Sequence, residues 1–444
     1  MFEAVPTNVQ EMAERRIAGG TIQVEHRDGL VRARGVRYGS ARRFEMAVPP
    51  PAWSGVRDAT QSGPACPQRP SRLAWVTGDA LKGLSTDENC LVLSVTAPAD
   101  ARRLPVMVWF HGGAYVAGSG ESAKYDPSAL ARAGNVVVVN VSYRLGIFGY
   151  LAPPGVGADN LGLRDQILAL RWVQDNIAAF GGDAANVTAF GQSAGAHSVW
   201  SLMLADEAEG LFHRAILQSA PLELDDGRDD MAHAMGSAMA TSLAGADPAE
   251  ASVEQLLAAE GAAVAAAQSF GLLGGLAFAP RLGRGPLPAP ADVPDAVAAA
   301  AGRIELLIGY TRDDAAPFVA MDPRVARLNR VPVLGRLAVR AGSKAITKQA
   351  FSGPAERLAQ AWRTHGGRVG TYRFDWAPSN APLGACHCME LPFLFGSPQT
   401  WADAPMLGPQ RTIDPQLSAE MRTRWTQFAY RGVDALPAPT LRFG

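Results

Sequence analysis

The segment Gly-Gln-Ser-Ala-Gly at residues 191–195 constrains the fold of this chain more than any other stretch. A short apolar run at residues 187–190 precedes it, and a helical pattern at residues 196–205 follows it. A serine between glycines at a strand-to-helix turn is typical of a nucleophile elbow, because strained backbone exposes the hydroxyl and small neighbours let the two elements pass closely. The start of the following helix also favours negative charge on a bound molecule. We therefore predict that Ser193 is a nucleophile.

Short apolar runs alternate with longer helical patterns through the middle of the chain, as is typical of parallel βαβ units. The predicted strands lie at residues 105–110, 136–142, 187–190, 215–218, 304–309 and 369–374. A helix is predicted at residues 163–180, where apolar side chains recur every three or four positions. A brief alternation at residues 21–24 predicts a small antiparallel ribbon. The expected fold class is α/β, with a mostly parallel central sheet flanked by helices.

The whole chain, residues 1–444, is predicted to form a single domain. Hydrophobic residues make up 48% of it and charged residues 19%, which suits a large buried core and excludes a wholly disordered chain. Residues 222–280 are rich in alanine and helical in pattern, so we predict a helical, cap-like insertion there. Residues 281–294 contain four prolines and are predicted to be a connector.

Charge and cysteine content exclude several classes of protein. Lys and Arg number 41 against 42 Asp and Glu, a net charge of −1, so we expect no nucleic acid partner. Four cysteines are too few for a disulfide scaffold in a chain of this size. Residues 1–6 lack the basic and apolar regions of a signal peptide, which predicts a cytoplasmic protein. The uncharged stretch at residues 261–280 is the one alternative membrane segment, but its alanine, glycine and glutamine argue against spanning.

A glycine-rich segment, Trp-Phe-His-Gly-Gly-Ala-Tyr at residues 109–115, follows an earlier predicted strand. Glycines let the backbone turn its N–H groups outward, and such donors stabilise the oxyanion that forms during acyl transfer. By its position relative to Ser193, we predict that the oxyanion donors are Gly113, Ala114 and Ala194.

The catalytic base and acid follow from chain order, because the α/β-hydrolase fold requires serine, then Asp or Glu, then histidine. His387 lies in a loop after the last predicted strand and is the predicted base. His365 is the alternative, but it precedes two glycines and is typical of a helix C-terminus. Asp314 follows the predicted strand at residues 304–309 and is the predicted acid, with the adjacent Asp313 as the alternative.

These segments, taken in order, resemble the type-B carboxylesterases, the family that includes cholinesterases and bacterial p-nitrobenzyl-esterase-like enzymes. The resemblance covers most of the chain and rests on residues 43–55, 87–93, 111–114, 143–146, 160–166 and 172–196, and on the segments around Asp314 and His387. It implies an α/β-hydrolase fold and a serine carboxylesterase that uses Ser193, Asp314 and His387 and needs no cofactor or metal.

The resemblance carries further implications for structure. It implies an ion pair between Glu88 and Arg144. Cys66 and Cys90 stand where many relatives have a disulfide, so a bond between them is possible, although we expect reduced thiols in the cytoplasm. The expected partner is a small-molecule ester, and the expected state is a monomer.

Departures from the family pattern leave alternatives open. The usual acid is Glu in Asp-Glu-Gly, whereas residues 313–315 are Asp-Asp-Ala, and residues 218–220 are Gln-Ser-Ala in place of Gln-Ser-Gly. The chain is also shorter than typical relatives. The alternatives are a lipase-like esterase, an acyltransferase that uses the same triad, or a catalytically silent interaction protein. Cys386 and Cys388 flank His387, but adjacent residues rarely ligate one metal together, so no metal site is predicted.

Overall fold

The core of the chain is one large sheet, seen in a computed structural model that describes residues 11–224, 227–322, 324–325 and 334–444. Its strands are β1 Glu11–Ile17, β2 Gly20–Arg27, β3 Leu30–Arg37, β4 Val56–Asp58, β5 Val92–Pro98, β6 Leu104–Phe110, β7 Val137–Val141, β8 Gly182–Gln192, β9 Arg214–Gln218, β10 Glu305–Thr311, β11 Val369–Phe374 and β12 Thr440–Phe443. The signal-peptide prediction concerned residues 1–6, which lie outside the described residues.

The strand order is β1-β2-β3-β5-β7-β6-β8-β9-β10-β11-β12, with β4 paired to β2. The pairs from β1 to β7 along this order are antiparallel, apart from the parallel pair of β4 with β2. Those from β7 to β12 are parallel. The carboxyl ends of β6, β8 and β10 therefore meet at one edge, where open parallel sheets bind ligands. The predicted mostly parallel α/β sheet is confirmed, and the ribbon expected near residues 21–24 is its antiparallel side.

Helices cover both faces of this sheet. The α-helices described are Ala74–Thr77, Ser128–Gly134, Gly146–Gly149, Leu161–Asn176, Ala194–Leu204, Arg228–Leu243, Val253–Ala267, Val293–Ala301, Ala316–Ala320, Leu334–Thr347, Gly353–Thr364, Leu391–Leu394 and Pro415–Arg431. A π-helical turn covers Lys348–Ser352, and 3-10 turns lie at Ala123–Tyr125, Ile177–Phe180, Asp206–Ala208, Gln268–Phe270, Leu273–Leu276, Pro290–Asp292, Pro405–Leu407 and Gly432–Ala435. No helix in these ranges is long and apolar enough to cross a membrane.

The central strands are uniformly apolar because each face of the sheet meets a helical layer. Every residue of β7 is buried, and so are six of the seven residues of β6. Helices Leu161–Asn176 and Ala194–Leu204 contribute to the hydrophobic cluster on one face, and Ser128–Gly134 and Pro415–Arg431 contribute to the cluster on the other. Burial on both sides fixes the strand ends from which the functional loops leave.

The insertion at residues 222–280 contains the helices Arg228–Leu243 and Val253–Ala267, which pack against each other. Their apolar side chains form a third cluster with residues around Tyr143–Tyr150 of the main body. A buried carboxylate joins the two parts, because Glu260 Oε2 accepts the backbone N–H of Ile147 at 3.0 Å. Burial raises the pKa of Glu260 to about 7. That this segment acts as a cap stays a prediction.

The implied ion pair between Glu88 and Arg144 is wrong. Arg144 is buried and donates two hydrogen bonds to Asp165, from Nε to Oδ2 at 2.8 Å and from Nη2 to Oδ1 at 2.7 Å. Glu88 lies on a partly exposed loop and accepts from Arg43 Nε at 2.9 Å. Asp165 stands in the first turns of the helix Leu161–Asn176 with its side chain inside the protein, so it meets the buried guanidinium that Glu88 does not reach.

Cys66 and Cys90 are neighbouring buried thiols with no bond between them. Cys66 Sγ accepts the backbone N–H of Leu145 at 3.4 Å. Burial raises the pKa of the Cys66 thiol well above its usual range, and the adjacent Cys90 raises it further. Both cysteines contribute to the third hydrophobic cluster.

Candidate active site

Ser193 forms the turn between β8 and the helix Ala194–Leu204 in a backbone conformation that few non-glycine residues adopt, with φ 57° and ψ −125°. Gly191 and Gly195 flank Ser193 and let β8 and the helix lie close together at this turn. A Cβ on Gly191 would lie 2.4 Å from the carbonyl carbon of Gly195, and one on Gly195 would lie 2.0 Å from the carbonyl oxygen of Phe110. Such strain costs about 1–3 kcal/mol and is common at catalytic positions. The local geometry is that of a nucleophile elbow.

His387 and Asp314 are in direct contact although 73 positions separate them. His387 Nδ1 lies 2.7 Å from Asp314 Oδ1, and both side chains are fully buried. Two more donors hold the other carboxylate oxygen: Ser219 Oγ at 2.8 Å and the backbone N–H of Thr311 at 3.0 Å from Oδ2. Because Asp314 accepts from Nδ1, the imidazole carries its proton there and presents Nε2 as an acceptor.

Asp313 is turned away from the imidazole. Its Oδ2 accepts from Arg312 Nε at 3.0 Å and from the backbone N–H of Ala385 at 3.0 Å. A backbone bridge between Asp313 and Cys386 ties the end of β10 to the loop that carries His387. The structure therefore brings Asp314 to His387, whereas Asp313 connects the end of β10 to the loop that carries His387.

The free nitrogen of the imidazole meets Gln192, the residue before the nucleophile. Gln192 Nε2 lies 3.2 Å from His387 Nε2, and Gln192 Oε1 accepts from Cys388 Sγ at 3.5 Å. Within the described residues, no hydrogen bond joins the Ser193 hydroxyl to His387, although both line the same cavity. Catalytic hydrogen bonds are often long or unformed in ligand-free enzymes. Gln192 was not among the predicted site residues, although its position directly before Ser193 was an available signal.

Two aromatic rings flank the imidazole. The ring centroids of Phe318 and Phe351 lie 5.1 and 5.2 Å from that of His387. The Phe318 ring is inclined at 62° to the imidazole and the Phe351 ring at 43°, so both phenylalanines pack against His387. Neither phenylalanine was among the predicted site residues, because nothing in the local sequence relates residues 318 and 351 to residue 387.

The glycine-rich loop after β6 adopts left-handed conformations at three successive residues, with φ 120° at Gly113, 55° at Ala114 and 61° at Tyr115. A Cβ on Gly113 would lie 1.9 Å from the carbonyl oxygen of Ala117, so only glycine fits there. The backbone N–H groups of Gly113, Ala114 and Ala194 have no acceptor among the described residues. Unused N–H groups beside a nucleophile are suited to bind an oxyanion.

Buried polar contacts join the glycine-rich loop to the helix Ala194–Leu204. Tyr115 OH lies 2.8 Å from His197 Nδ1, and Ser198 Oγ donates to Tyr115 OH at 3.3 Å. Burial lowers the pKa of His197 to about 3, so the imidazole is neutral at physiological pH. The same cause lowers the pKa of His111 to about 4. Neither histidine is placed to act as the base.

A cavity of about 300 Å³ opens over Ser193 and His387. Its walls are mainly apolar and come from the loop after Cys66, the insertion and the segments that follow β10; they include Leu73, Leu224, Leu272, Leu276, Phe318, Ile346, Phe351 and Leu391. Small-molecule sites are typically apolar cavities of this order with a few polar groups at the reacting end.

A buried glutamate lies below the base loop. Glu390 Oε1 accepts from Gln218 Nε2 at 3.3 Å, and Oε2 has no partner among the described residues. Burial raises the pKa of Glu390 to about 8, with the nearby Asp314 as a second cause. Burial also raises the pKa values of the Cys386 and Cys388 thiols above their usual range. Glu390 is therefore protonated in the folded protein at neutral pH.

The sequence profile of the carboxylesterase family matches residues 7–331 and 337–440. A Rhodococcus erythropolis protein named "Probable N-octanoylanthranilate hydrolase AqdA2" is 40% identical over 99% of this chain and 95% of its own length. The para-nitrobenzyl esterase of Bacillus subtilis is 35% identical over 93% of this chain and 88% of its own. Among solved structures, a thermophilic PNB esterase superposes with a TM-score of 0.79 at 33% identity, covering 94% of this chain and 91% of the other.

Proposed function

Because this chain belongs to the carboxylesterase family, we propose that Ser193, His387 and Asp314 form the catalytic triad of a serine carboxylesterase. The observation that carries this assignment is the 2.7 Å contact between His387 Nδ1 and Asp314 Oδ1, beside a strained serine in the same cavity. The chain is a carboxylic ester hydrolase, as is the para-nitrobenzyl esterase that it matches over 93% of its length.

The first half-reaction follows from the donors and acceptors present. His387 Nε2 takes the proton of Ser193 as Oγ attacks the ester carbonyl, and Asp314 stabilises the imidazolium that forms. The carbonyl oxygen becomes an oxyanion and accepts hydrogen bonds from the N–H groups of Gly113, Ala114 and Ala194. When the tetrahedral intermediate collapses, His387 returns the proton to the leaving alcohol and Ser193 keeps the acyl group.

The second half-reaction repeats these steps with water. His387 Nε2 accepts a proton from a water molecule that attacks the acyl-enzyme, and the carboxylate leaves as the Ser193 hydroxyl is restored. The Gln192 amide must move away from His387 Nε2 in both half-reactions, because in the free enzyme Gln192 Nε2 lies 3.2 Å from that atom. Gln192 thus holds the empty imidazole in place until a substrate arrives.

The substrate is a small ester with an apolar acyl group. The cavity walls support this proposal, because most of their surface is apolar and includes leucine, isoleucine and phenylalanine side chains. The Rhodococcus relative is named for an octanoyl compound, which agrees with an acyl group of medium length. We further propose a reducing, cytoplasmic setting, supported by four buried cysteines that all stand as free thiols. The expected monomer is a separate proposal that the thiols do not bear on. Light scattering and cell fractionation test these two points.

Hydrolysis of p-nitrophenyl esters of increasing acyl length tests the proposal. Wild type is expected to turn over the series with a maximum at medium length, and Ser193→Ala to lose at least a thousandfold, the order that removal of a triad member costs. Ser201→Ala is the matched control, because Ser201 lies on the same helix and, among the described residues, its hydroxyl hydrogen-bonds only to the carbonyl of His197. Equal activity in wild type and Ser193→Ala would refute the assignment.

A further inference from the structure

Two basic side chains line the catalytic cavity, and no acidic residue is among its described lining residues. One of them, Lys124, is neutralised: its Nζ lies 2.5 Å from Asp403 Oδ1 and donates to the carbonyl of Thr400 at 2.9 Å. The other, Arg72, makes no ion pair with any carboxylate that the structure describes. The cavity therefore carries an excess positive charge at Arg72.

Arg72 is held in place without being neutralised. Its Nη2 donates to the carbonyl oxygen of Gly275 in the insertion, at 2.5 Å, and Cζ lies 5.5 Å from the ring centroid of Phe318. Solvent still reaches the side chain at the mouth of the cavity. Burial of part of the side chain lowers the pKa of Arg72, but an arginine remains charged at any working pH.

The guanidinium is close to the reacting centre. The Phe318 ring, whose centroid lies 5.5 Å from Arg72 Cζ, also lies 5.1 Å from the His387 ring between centroids, so the guanidinium and the imidazole pack against the same aromatic ring. The guanidinium fork matches the two oxygens of a carboxylate, and only one of its nitrogens is used by Gly275. The remaining donors have no protein acceptor in the described ranges.

We propose that Arg72 selects substrates that carry a carboxylate, so that this enzyme prefers anionic esters to neutral ones. This inference rests on the proposed esterase activity and specifies its substrate class. The carboxylate belongs either to the leaving group or to the acyl chain, and the guanidinium could bind it in either position.

Three esters with an eight-carbon acyl chain separate these cases: neutral phenyl octanoate, 2-carboxyphenyl octanoate and monophenyl suberate. The quantity measured is the factor by which Arg72→Gln changes kcat/KM for each ester, after correction for spontaneous hydrolysis. We expect a loss of about tenfold on one of the anionic esters, the size of one charge-assisted hydrogen bond at a partly exposed site. A loss of kcat/KM on 2-carboxyphenyl octanoate would place the carboxylate on the leaving group. A loss of kcat/KM on monophenyl suberate would place it on the acyl chain.

Controls keep the result specific. The change on the neutral ester measures any general effect of Arg72→Gln on the cavity, and measurable hydrolysis of that ester shows that the variant folds. The loss that tests the inference is the additional factor on the anionic ester. Arg103→Gln is the matched control, because Arg103 is an exposed arginine beside β6 at the end of the strand far from the cavity. Raising the salt concentration should reduce the wild-type advantage on the anionic ester and leave Arg72→Gln unaffected.

Equal effects of Arg72→Gln on all three esters, or no effect on any of them, would overturn the inference. The proposed function would still be supported if phenyl octanoate were hydrolysed and that hydrolysis depended on Ser193. If wild type hydrolysed none of the three esters, the proposed function would fall, and the inference with it.

Discussion

Ser219 donates its hydroxyl to Asp314 Oδ2 at 2.8 Å, on the opposite side of the carboxylate from His387. Ser219 directly follows β9, the strand that lies between β8 and β10. A side chain from the neighbouring strand thus fixes the rotation of the carboxylate that orients the imidazole. This contact explains how an aspartate, one methylene shorter than the glutamate usual in the family, is held at hydrogen-bonding distance from the base.

Removing the Ser219 hydroxyl should lower kcat by about tenfold, because a hydrogen bond to a charged group is worth about 1.5–3 kcal/mol and only part of that acts in the transition state. Ser219 has a left-handed backbone, with φ 50°. Ser219→Ala keeps that strain, whereas Ser219→Gly relieves it. The two variants should therefore lose similar activity but differ in thermal stability. If the less stable of the two variants were also the less active one, the role of Ser219 would be purely structural.

The two adjacent aspartates should respond very differently to substitution. Asp314→Asn should reduce kcat by about 10⁴-fold, since the amide no longer holds the imidazole in the productive tautomer. Asp313→Asn should stay within about threefold of wild type, because its carboxylate contacts Arg312 and Ala385 and not the imidazole. Steady-state kinetics on one neutral ester measure both. A larger loss in Asp313→Asn than in Asp314→Asn would reverse the assignment of the acid.

Glu390 should make the protein less stable as the pH rises. Its pKa is raised to about 8 in the folded state, whereas an exposed glutamate ionises near 4.5. Both states are protonated below pH 4.5; above it the unfolded chain releases a proton that the folded chain keeps, so unfolding becomes progressively easier up to about pH 8. Glu390→Gln cannot ionise at this position. The free energy of unfolding of the variant minus that of wild type should therefore be larger at pH 9 than at pH 4, by a few kcal/mol, roughly.

Denaturant unfolding of wild type and Glu390→Gln across this pH range measures the difference. Glu420→Gln, at an exposed position of the helix Pro415–Arg431, is the control and should show a constant offset. A pH-independent difference between wild type and Glu390→Gln would show that this carboxyl titrates alike in the folded and unfolded states.

The observed ion pairs predict unequal costs for two carboxylates. Asp165→Asn leaves the buried guanidinium of Arg144 without its counter-charge and should cost about 3–5 kcal/mol of unfolding free energy. Glu88→Gln interrupts a partly exposed pair with Arg43 and should cost less than about 1 kcal/mol. Chemical denaturation of both variants compares them. A greater cost for Glu88→Gln would restore the pairing of Glu88 with Arg144.

The strands of the parallel core could be predicted because both of their faces are buried, which makes them continuous apolar runs such as β6 and β7. The start of β8 could not. Its first residues, from Gly182, are polar or small, and β8 pairs with β6 across a shift in register. The strand β12 was also missed, because Thr440–Phe443 is short and half exposed and becomes a strand only by pairing with β11.

The residues predicted to react, whose roles stay a prediction, were easier to single out from the sequence than the residues that contact them. A serine elbow, a glycine-rich loop and a late histidine each have a local pattern, and the required chain order arranges them. Gln192 and Ser219 lie in segments that the sequence singles out, but their contacts with His387 and Asp314 depend on which loops meet in space, as does the position of Arg72. The wrong pairing of Glu88 with Arg144 has the same cause, since a sequence position does not say which carboxylate a buried arginine faces.

The most direct test of the central claim is covalent labelling of the nucleophile. Wild type would be treated with a fluorophosphonate that carries an octyl chain, and the product analysed by intact mass and peptide mapping together with residual esterase activity. We predict one adduct per chain on Ser193, loss of activity in proportion to labelling, and labelling at least a hundredfold slower in Asp314→Asn. An adduct on another residue, or full activity with Ser193 labelled, would contradict the account.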